Sequence, residues 1–251
     1  MKTKLLLTVF LLAFTVSLVM ATPLRIMMQQ AGGPLGLSDL PVVPQNITGN
    51  LFSGSADLPW EGEVYTLSWD FSSPQLLSGH ISYDVELTSN HVALTGLLGY
   101  RPGSYQVHNI SGYSDLTPIQ PYLQPYNTAV GGQLWWQGVS MRWLPGDSRL
   151  WADGMVDWHT GTAQFDWLDG NRRSIDLPVL KGQFNTDDNG RVSAVVRNDA
   201  SNQPVIQASL TTDATLDYRL YTALRDVLQV EMPGGREIIM EGQMNVQRYL
   251  Q

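Results

Sequence analysis

The sequence predicts a mainly β protein: an N-terminal transmembrane helix followed by a curved antiparallel β domain, groove or sandwich, with an internal duplication. Three observations carry this expectation. Twenty uncharged residues, Leu5–Leu24, follow Lys2 and Lys4. Beyond residue 46, apolar and polar side chains alternate in one segment after another, the period-2 mark of half-buried strands. The stretch Gly49-Asn50-Leu51-Phe52-Ser53-Gly54 is echoed by Gly132-Gln133-Leu134-Trp135-Trp136-Gln137-Gly138. After each comes a Trp-containing strand and then a glycine-led one, as two related meanders would show.

The first segment is long enough to cross a bilayer, which takes about 20 apolar residues. Lysines in front, with only Arg25 behind, orient the N-terminus to the cytoplasm. Apolar character continues through Ile26, Met27 and Met28, so residues 1–28 read as an uncleaved anchor of the inner membrane. The alternative is a signal peptide cleaved after Ala21, at Val19-Met20-Ala21, leaving a soluble periplasmic protein. Residues 29–45, with Gly32-Gly33 and three prolines, read as a linker, and residues 46–251 as a periplasmic β domain. The chain has no cysteine and a formal charge of −8. Disulfide frameworks, zinc-thiolate sites and thiol chemistry are thereby excluded. So is long-range attraction to nucleic acid.

Strands are expected over Ile47–Ala56 and Glu63–Phe71, the latter with a bulge because Val64, Leu67 and Trp69 differ in parity. His80–Thr88 alternates cleanly, Ile81, Tyr83, Val85 and Leu87 against Ser82, Asp84, Glu86 and Thr88. Ser89-Asn90 links it to His91–Leu98, and Ser104–Ile110 follows. Pro118 and Pro121 limit Asp115–Leu123 to a short helical turn. Val130–Leu144, bent near Gly138, Leu150–Trp158, Thr162–Leu168, Leu180–Asn185, Arg191–Arg197 and Pro204–Thr211 resume the strands. Leu216, Leu220, Leu224, Val227 and Leu228 have helical spacing, which predicts a helix over Leu216–Val227. Ile238–Val246 reads as the last strand.

Little in the chain carries chemistry. His80, His91, His108 and His159 have no ligand spacing, and no His-x-x-x-His helix occurs. Asp187-Asp188-Asn189-Gly190 lacks the rest of a calcium loop and reads as a hairpin turn. No nucleophile elbow or phosphate loop is present, so no catalytic residue, metal or cofactor is expected. The eight tryptophans are the distinctive feature. Trp60, Trp135, Trp136 and Trp143 are the candidate contacts for a partner or lipid. Trp135 and Trp136, adjacent on a strand, must face opposite ways. Either both faces are covered, by a second sheet or a curled edge, which is the favoured expectation, or one tryptophan is an exposed recognition aromatic.

An N-terminal membrane segment, a Pro/Gly linker and then Gly49–Ala56 together resemble the opening of the type II secretion system protein N family. Leu67-Ser68-Trp69, Pro74-Gln75-Leu76-Leu77-Ser78-Gly79, Gly132–Trp136 and Leu177-Pro178-Val179-Leu180-Lys181-Gly182 follow in the family's order over nearly the whole chain. Phe52 departs from the family's usual tryptophan. The resemblance implies a non-enzymatic accessory component of type II secretion, with inner-membrane secretion proteins as partners. That family is grouped with AsmA-like envelope proteins, which implies, as the second reading, a periplasmic lipid-binding or lipid-routing protein.

Overall fold

The computed structural model describes residue 23 and residues 43–60, 62–72, 80–144, 149–166, 171–211, 215–229 and 237–245. One antiparallel sheet runs through them: β1 (Gln45–Gly49), β2 (Ser53–Trp60), β3 (Glu63–Ser72), β4 (Ile81–Thr88), β5 (Val92–Arg101), β6 (Ser104–Asp115), β7 (Ala129–Leu144), β8 (Arg149–Asp166), β9 (Arg172–Asp176), β10 (Leu180–Thr186), β11 (Val192–Asn198), β12 (Pro204–Leu210), β13 (Thr215–Tyr221) and β14 (Ile238–Asn245). Each strand pairs with its neighbours in the chain. The one variation is at β8, whose 18 residues share an edge between β9, at Thr162–Asp166, and β10, at Gly154–Trp158. The order is a meander without a crossover; among the described residues its free edges are β1, β14 and the outer side of β9, which pairs with β8 alone.

Alternation builds this sheet. Directly opposed residues share a face, and Leu67, Leu87 and Leu94 oppose one another across β3, β4 and β5 while Ser68, Glu86 and Thr95 do so on the other side. Turn chemistry sets the hairpins. Asn50 Oδ1 accepts the N–H groups of Phe52 and Ser53 at 2.8 and 3.1 Å, closing the β1–β2 turn behind Gly49 at φ +81°. Asp187 Oδ1 accepts from Asn189 and Arg191, each at 2.9 Å, and Gly190 takes φ +77°. Asp187-Asp188-Asn189-Gly190 is therefore a turn, as expected, with that carboxylate oxygen already engaged. Register shifts in six ladders mark bulges, which bend strands and increase twist. One lies between Gln137 and Ser140, where Gly138 has φ +62°, the predicted bend.

The connections fall on two rims. Along one lie the β2–β3 and β4–β5 turns, a helical segment between β6 and β7, and a helix between β13 and β14. The helical segment is a 3₁₀ turn at Thr117–Ile119, α1 (Gln120–Leu123) and a second 3₁₀ turn at Gln124–Tyr126, punctuated by Pro118, Pro121 and Pro125. The second helix is α2 (Ala223–Leu228). Among the described residues, eight of the eleven buried hydrophobic side chains lie along this rim, including Tyr65, Val92, Leu116 and Val205. Leu180, Val205, Ala223 and Val227 form a cluster under α2, with Trp158, Leu177, Val196, Ile206 and Leu224 packed against it. Along the other rim lie the β5–β6, β7–β8, β10–β11 and β12–β13 connections, with no helix among the described residues.

Several expectations are corrected. Among the described residues no helix is long and apolar enough to cross a membrane. Of the predicted anchor, residues 1–28, only Pro23 is described, and it forms an antiparallel bridge with Asn50. The rest of the anchor, the cleavage site at Ala21 and most of the 29–45 linker lie outside the described residues. The transmembrane, inner-membrane and type II secretion expectations are corrected accordingly: they find no membrane-spanning helix among the described residues.

The described strands form one continuous antiparallel sheet, so two separate sheets are not present among them. The predicted helix over Leu216–Val227 is β13 up to Tyr221, and only Ala223–Leu228 is helical. Leu216, Tyr218 and Leu220 alternate with Asp217 and Arg219, and that period prevails. The β3 ladders are regular, and Val64 simply faces the polar side, 54% exposed. Leu150–Trp158 and most of Thr162–Leu168 belong to one strand, β8, with Thr160 at φ +48° between them. The two halves of the proposed duplication occupy different places. Gly49–Gly54 spans a hairpin turn, whereas Gly132–Gly138 lies within β7.

Candidate functional site

Following the register from strand to strand assembles a site that no single segment shows. Ala56 opposes Leu67, which opposes Leu87, and Leu94 continues the row to Gly112 and Trp136. From Trp136 the row runs through Val156, Gly182, Val196 and Ile206 to Leu220 and Met240. Twelve strands thus contribute one apolar residue or glycine each. At about 4.8 Å per strand, the row is on the order of 50 Å long. A second row, Phe71, Tyr83, Leu98, Val107, Met141 and Ala152, runs beside it toward the helix-free rim. The opposite face carries Ser55, Ser68, Glu86, Thr95 and Ser111 in one row and Gln207, Arg219 and Glu241 in another.

The apolar face is only half covered. Leu67, Leu87, Leu94, Trp136 and Val156 are of intermediate exposure, and Met240 is 50% exposed. A second layer packed on this face would bury such positions; among the described residues α2 supplies cover only over the β10–β12 end. Three indoles of the face have their N–H groups already engaged. Trp69 Nε1 donates to the Asn50 carbonyl at 3.1 Å, Trp136 Nε1 to Ser114 Oγ at 2.9 Å and Trp158 Nε1 to the Gly131 carbonyl at 3.1 Å. Glycines opposite aromatic rings keep the face low. A Cβ on Gly54 would fall 2.6 Å from the Trp69 ring, and one on Gly242 2.5 Å from Tyr218 Oη.

At the helix-free rim the face ends in the row Ile81, Tyr100, Tyr105, Trp143 and Leu150. The first four are 39, 42, 50 and 48% exposed. Tyr105 stacks on Trp143 with centroids 5.8 Å apart, and Tyr100 lies 5.4 Å from Tyr105.

Three of the four predicted contact tryptophans share the apolar face: Trp60 opposes Glu63 beside buried Tyr65, Trp136 lies in the central row, and Trp143 is in the rim row. Trp135 is on the polar face, 44% exposed and 5.8 Å from Tyr113. The predicted cover by a second sheet is therefore corrected, since no second sheet exists among the described strands. Sequence reasoning missed Leu98, Tyr100 and Tyr105. Their signal was present in the hairpin Tyr100-Arg101-Pro102-Gly103-Ser104-Tyr105, which places two tyrosines opposite each other.

The polar groups form one notable cluster, on the helix-bearing rim. His91 Nδ1 lies 2.6 Å from Asp115 Oδ2, and His91 Nε2 lies 3.5 Å from Glu63 Oε1. The hydrogen bond to Asp115 raises the His91 pKa above the ordinary imidazole value, against a partial opposing effect of burial. Burial pushes Asp115 up, but the bonds from His91 and from the Thr117 N–H, 2.9 Å away, outweigh it and hold the carboxyl below its usual range. This cluster ties β3, the β4–β5 turn and the end of β6 together.

No family model matches the chain, and neither does any curated protein or solved structure.

Proposed function

We propose that this protein binds the acyl chains of lipids along its apolar face, as a carrier or conduit without catalysis of its own. One observation carries the reading: a row of apolar residues and glycines across twelve strands, mostly half-buried, on a face where the Trp69, Trp136 and Trp158 indole N–H groups are already satisfied. A protein partner ordinarily brings about one hydrogen bond per 100–200 Å² of interface, and the rows of this face offer almost nothing to receive them. Saturated hydrocarbon makes no such demand. The chains of one bilayer leaflet span about 15 Å, half of the ~30 Å hydrocarbon core, so the row is long enough for several acyl chains side by side. The polar opposite face keeps the sheet in water.

A photoactivatable diazirine fatty acid, crosslinked to the full-length chain and mapped by peptide mass spectrometry, tests the proposal. Adducts are expected at Leu87, Leu94, Val107 and Trp136. Adducts confined to Leu5–Leu24, or to polar-face residues such as Trp135, would sink it.

A further inference from the structure

We infer that the helix-free rim docks end-on against an anionic membrane surface, where acyl chains pass between bilayer and sheet; this deepens the acyl-chain reading and rests on it. Two independent observations converge on that rim. The first is the exposed ladder Ile81, Tyr100, Tyr105 and Trp143, which continues the apolar face to the hairpin tips. Tyrosine and tryptophan pair an apolar body with a polar handle, the combination suited to the boundary between acyl chains and headgroups.

The second is charge. Lys181, Arg191 and Arg219 are each matched to a carboxylate, at 2.7, 3.0 and 3.7 Å. Arg101, Arg142 and Arg149 stand at the same end of β5, β7 and β8 and form no ion pair among the described residues. All three are exposed, and the Arg142 guanidinium sits 4.7 Å over the Trp151 ring. By sequence, residues 99–106 and 142–151 carry these three arginines and one carboxylate, Asp147, in a chain of net charge −8. The β10–β11 and β12–β13 connections of the same rim carry Asp187, Asp188 and Asp213, so the cationic part of the rim, and the part that docks, is its β5–β8 half. Guanidinium groups bind phosphate oxygens in a forked geometry. A bilayer boundary satisfies both halves of this rim, with arginines toward lipid phosphates and the aromatic ladder toward the acyl region.

The opposite rim also exposes apolar rings, Tyr122 at 53% and Tyr126 at 76%, but Thr117–Tyr126 contains no charged residue. Trp60, 43% exposed on that rim, opposes Glu63 rather than a cation. Exposed rings and arginines without an ion pair among the described residues lie together at the β5–β8 end of the helix-free rim, which sets the orientation.

Because the chain lacks cysteine, single labels report that orientation in the full-length protein. Tyr100→Cys and Tyr126→Cys carry an NBD fluorophore, each mixed with vesicles of phosphatidylcholine and phosphatidylglycerol containing doxyl-labelled lipid. The Tyr100 label should shift to the blue and be quenched several-fold more strongly than the Tyr126 label. Replacing Arg101, Arg142 and Arg149 with Gln, or omitting phosphatidylglycerol, should weaken that quenching. Equal quenching of both labels, stronger quenching at Tyr126, a Tyr100 label that stays in water, or indifference to the arginines would each overturn the inference. The diazirine map separates the two proposals. Apolar-face adducts with an unquenched Tyr100 label leave the acyl face standing and remove the docking. A quenched Tyr100 label without such adducts does the reverse.

Discussion

The two rims of this sheet are made from the same strands and differ in what closes them. At one, the hairpin ends are covered by α1, its flanking 3₁₀ turns and α2, and eight of the eleven buried hydrophobic side chains among the described residues collect there. At the other, aromatic side chains of the same face end half-exposed beside arginines. A single sheet buries little by itself, so packing stability concentrates wherever another element lies over it. Packing stability and open apolar surface are thereby assigned to opposite ends.

That division is sharpest under matched substitutions. Val227→Asp places a charge where the side chain is 2% exposed, and should cost more than about 3 kcal/mol in urea unfolding. Tyr105→Asp on the open rim should cost about 1 kcal/mol, the loss of an exposed ring contact. Comparable losses at both would show that the rims are equally structural. Next in size is Gly54→Ala, whose Cβ would come within 2.3 Å of the Thr48 carbonyl and 2.6 Å of the Trp69 ring. It should destabilise by roughly 2 kcal/mol. Gly99→Ala, with its nearest contact at 3.6 Å, should stay within about 0.5 kcal/mol, as judged by the same unfolding midpoints.

The smallest expected effect is pH dependence from the closed rim. The raised pKa of His91 means its contribution is complete below the ordinary imidazole value and fades as pH rises through the folded one. The lowered pKa of Asp115 works in the other direction: its contribution is complete above the ordinary carboxylate value and fades as pH falls through the folded one. Together they favour a maximum between about pH 4 and 6.5. His91→Gln should flatten the alkaline side of a melting-temperature profile. An unchanged profile in the His91 variant would remove the clip from the account.

Strand character was readable because alternation is local. Ile81 through Thr88 declares its two faces within one segment, and β4 has them as expected. The Leu216–Val227 segment misled because leucines four apart satisfy a helix while Leu216, Tyr218 and Leu220 satisfy a strand, and pairing with β12 and β14 decides between them. β9, Arg172–Asp176, passed unnoticed because five largely charged and polar residues carry no apolar signal. For the site, the tryptophans were visible but their association was not. Trp60, Trp136 and Trp143 share a face through register alone, and bulges at Gly138 and between Thr95 and Leu97 shift the parity along the way. The anchor was read from apolarity alone, which does not reveal that Pro23 lies against Asn50.

The uninterrupted strand order has a consequence for how the molecule comes apart. Each strand is held by its sequence neighbours, so the sheet behaves as a linear array in which stability propagates by nearest-neighbour coupling. Such an array opens from its ends. Amide exchange should be fastest in β1 and β14 and slowest in β7 and β8, the longest strands at its centre. The terminal hairpins can then melt and re-form while the middle of the apolar face keeps its shape.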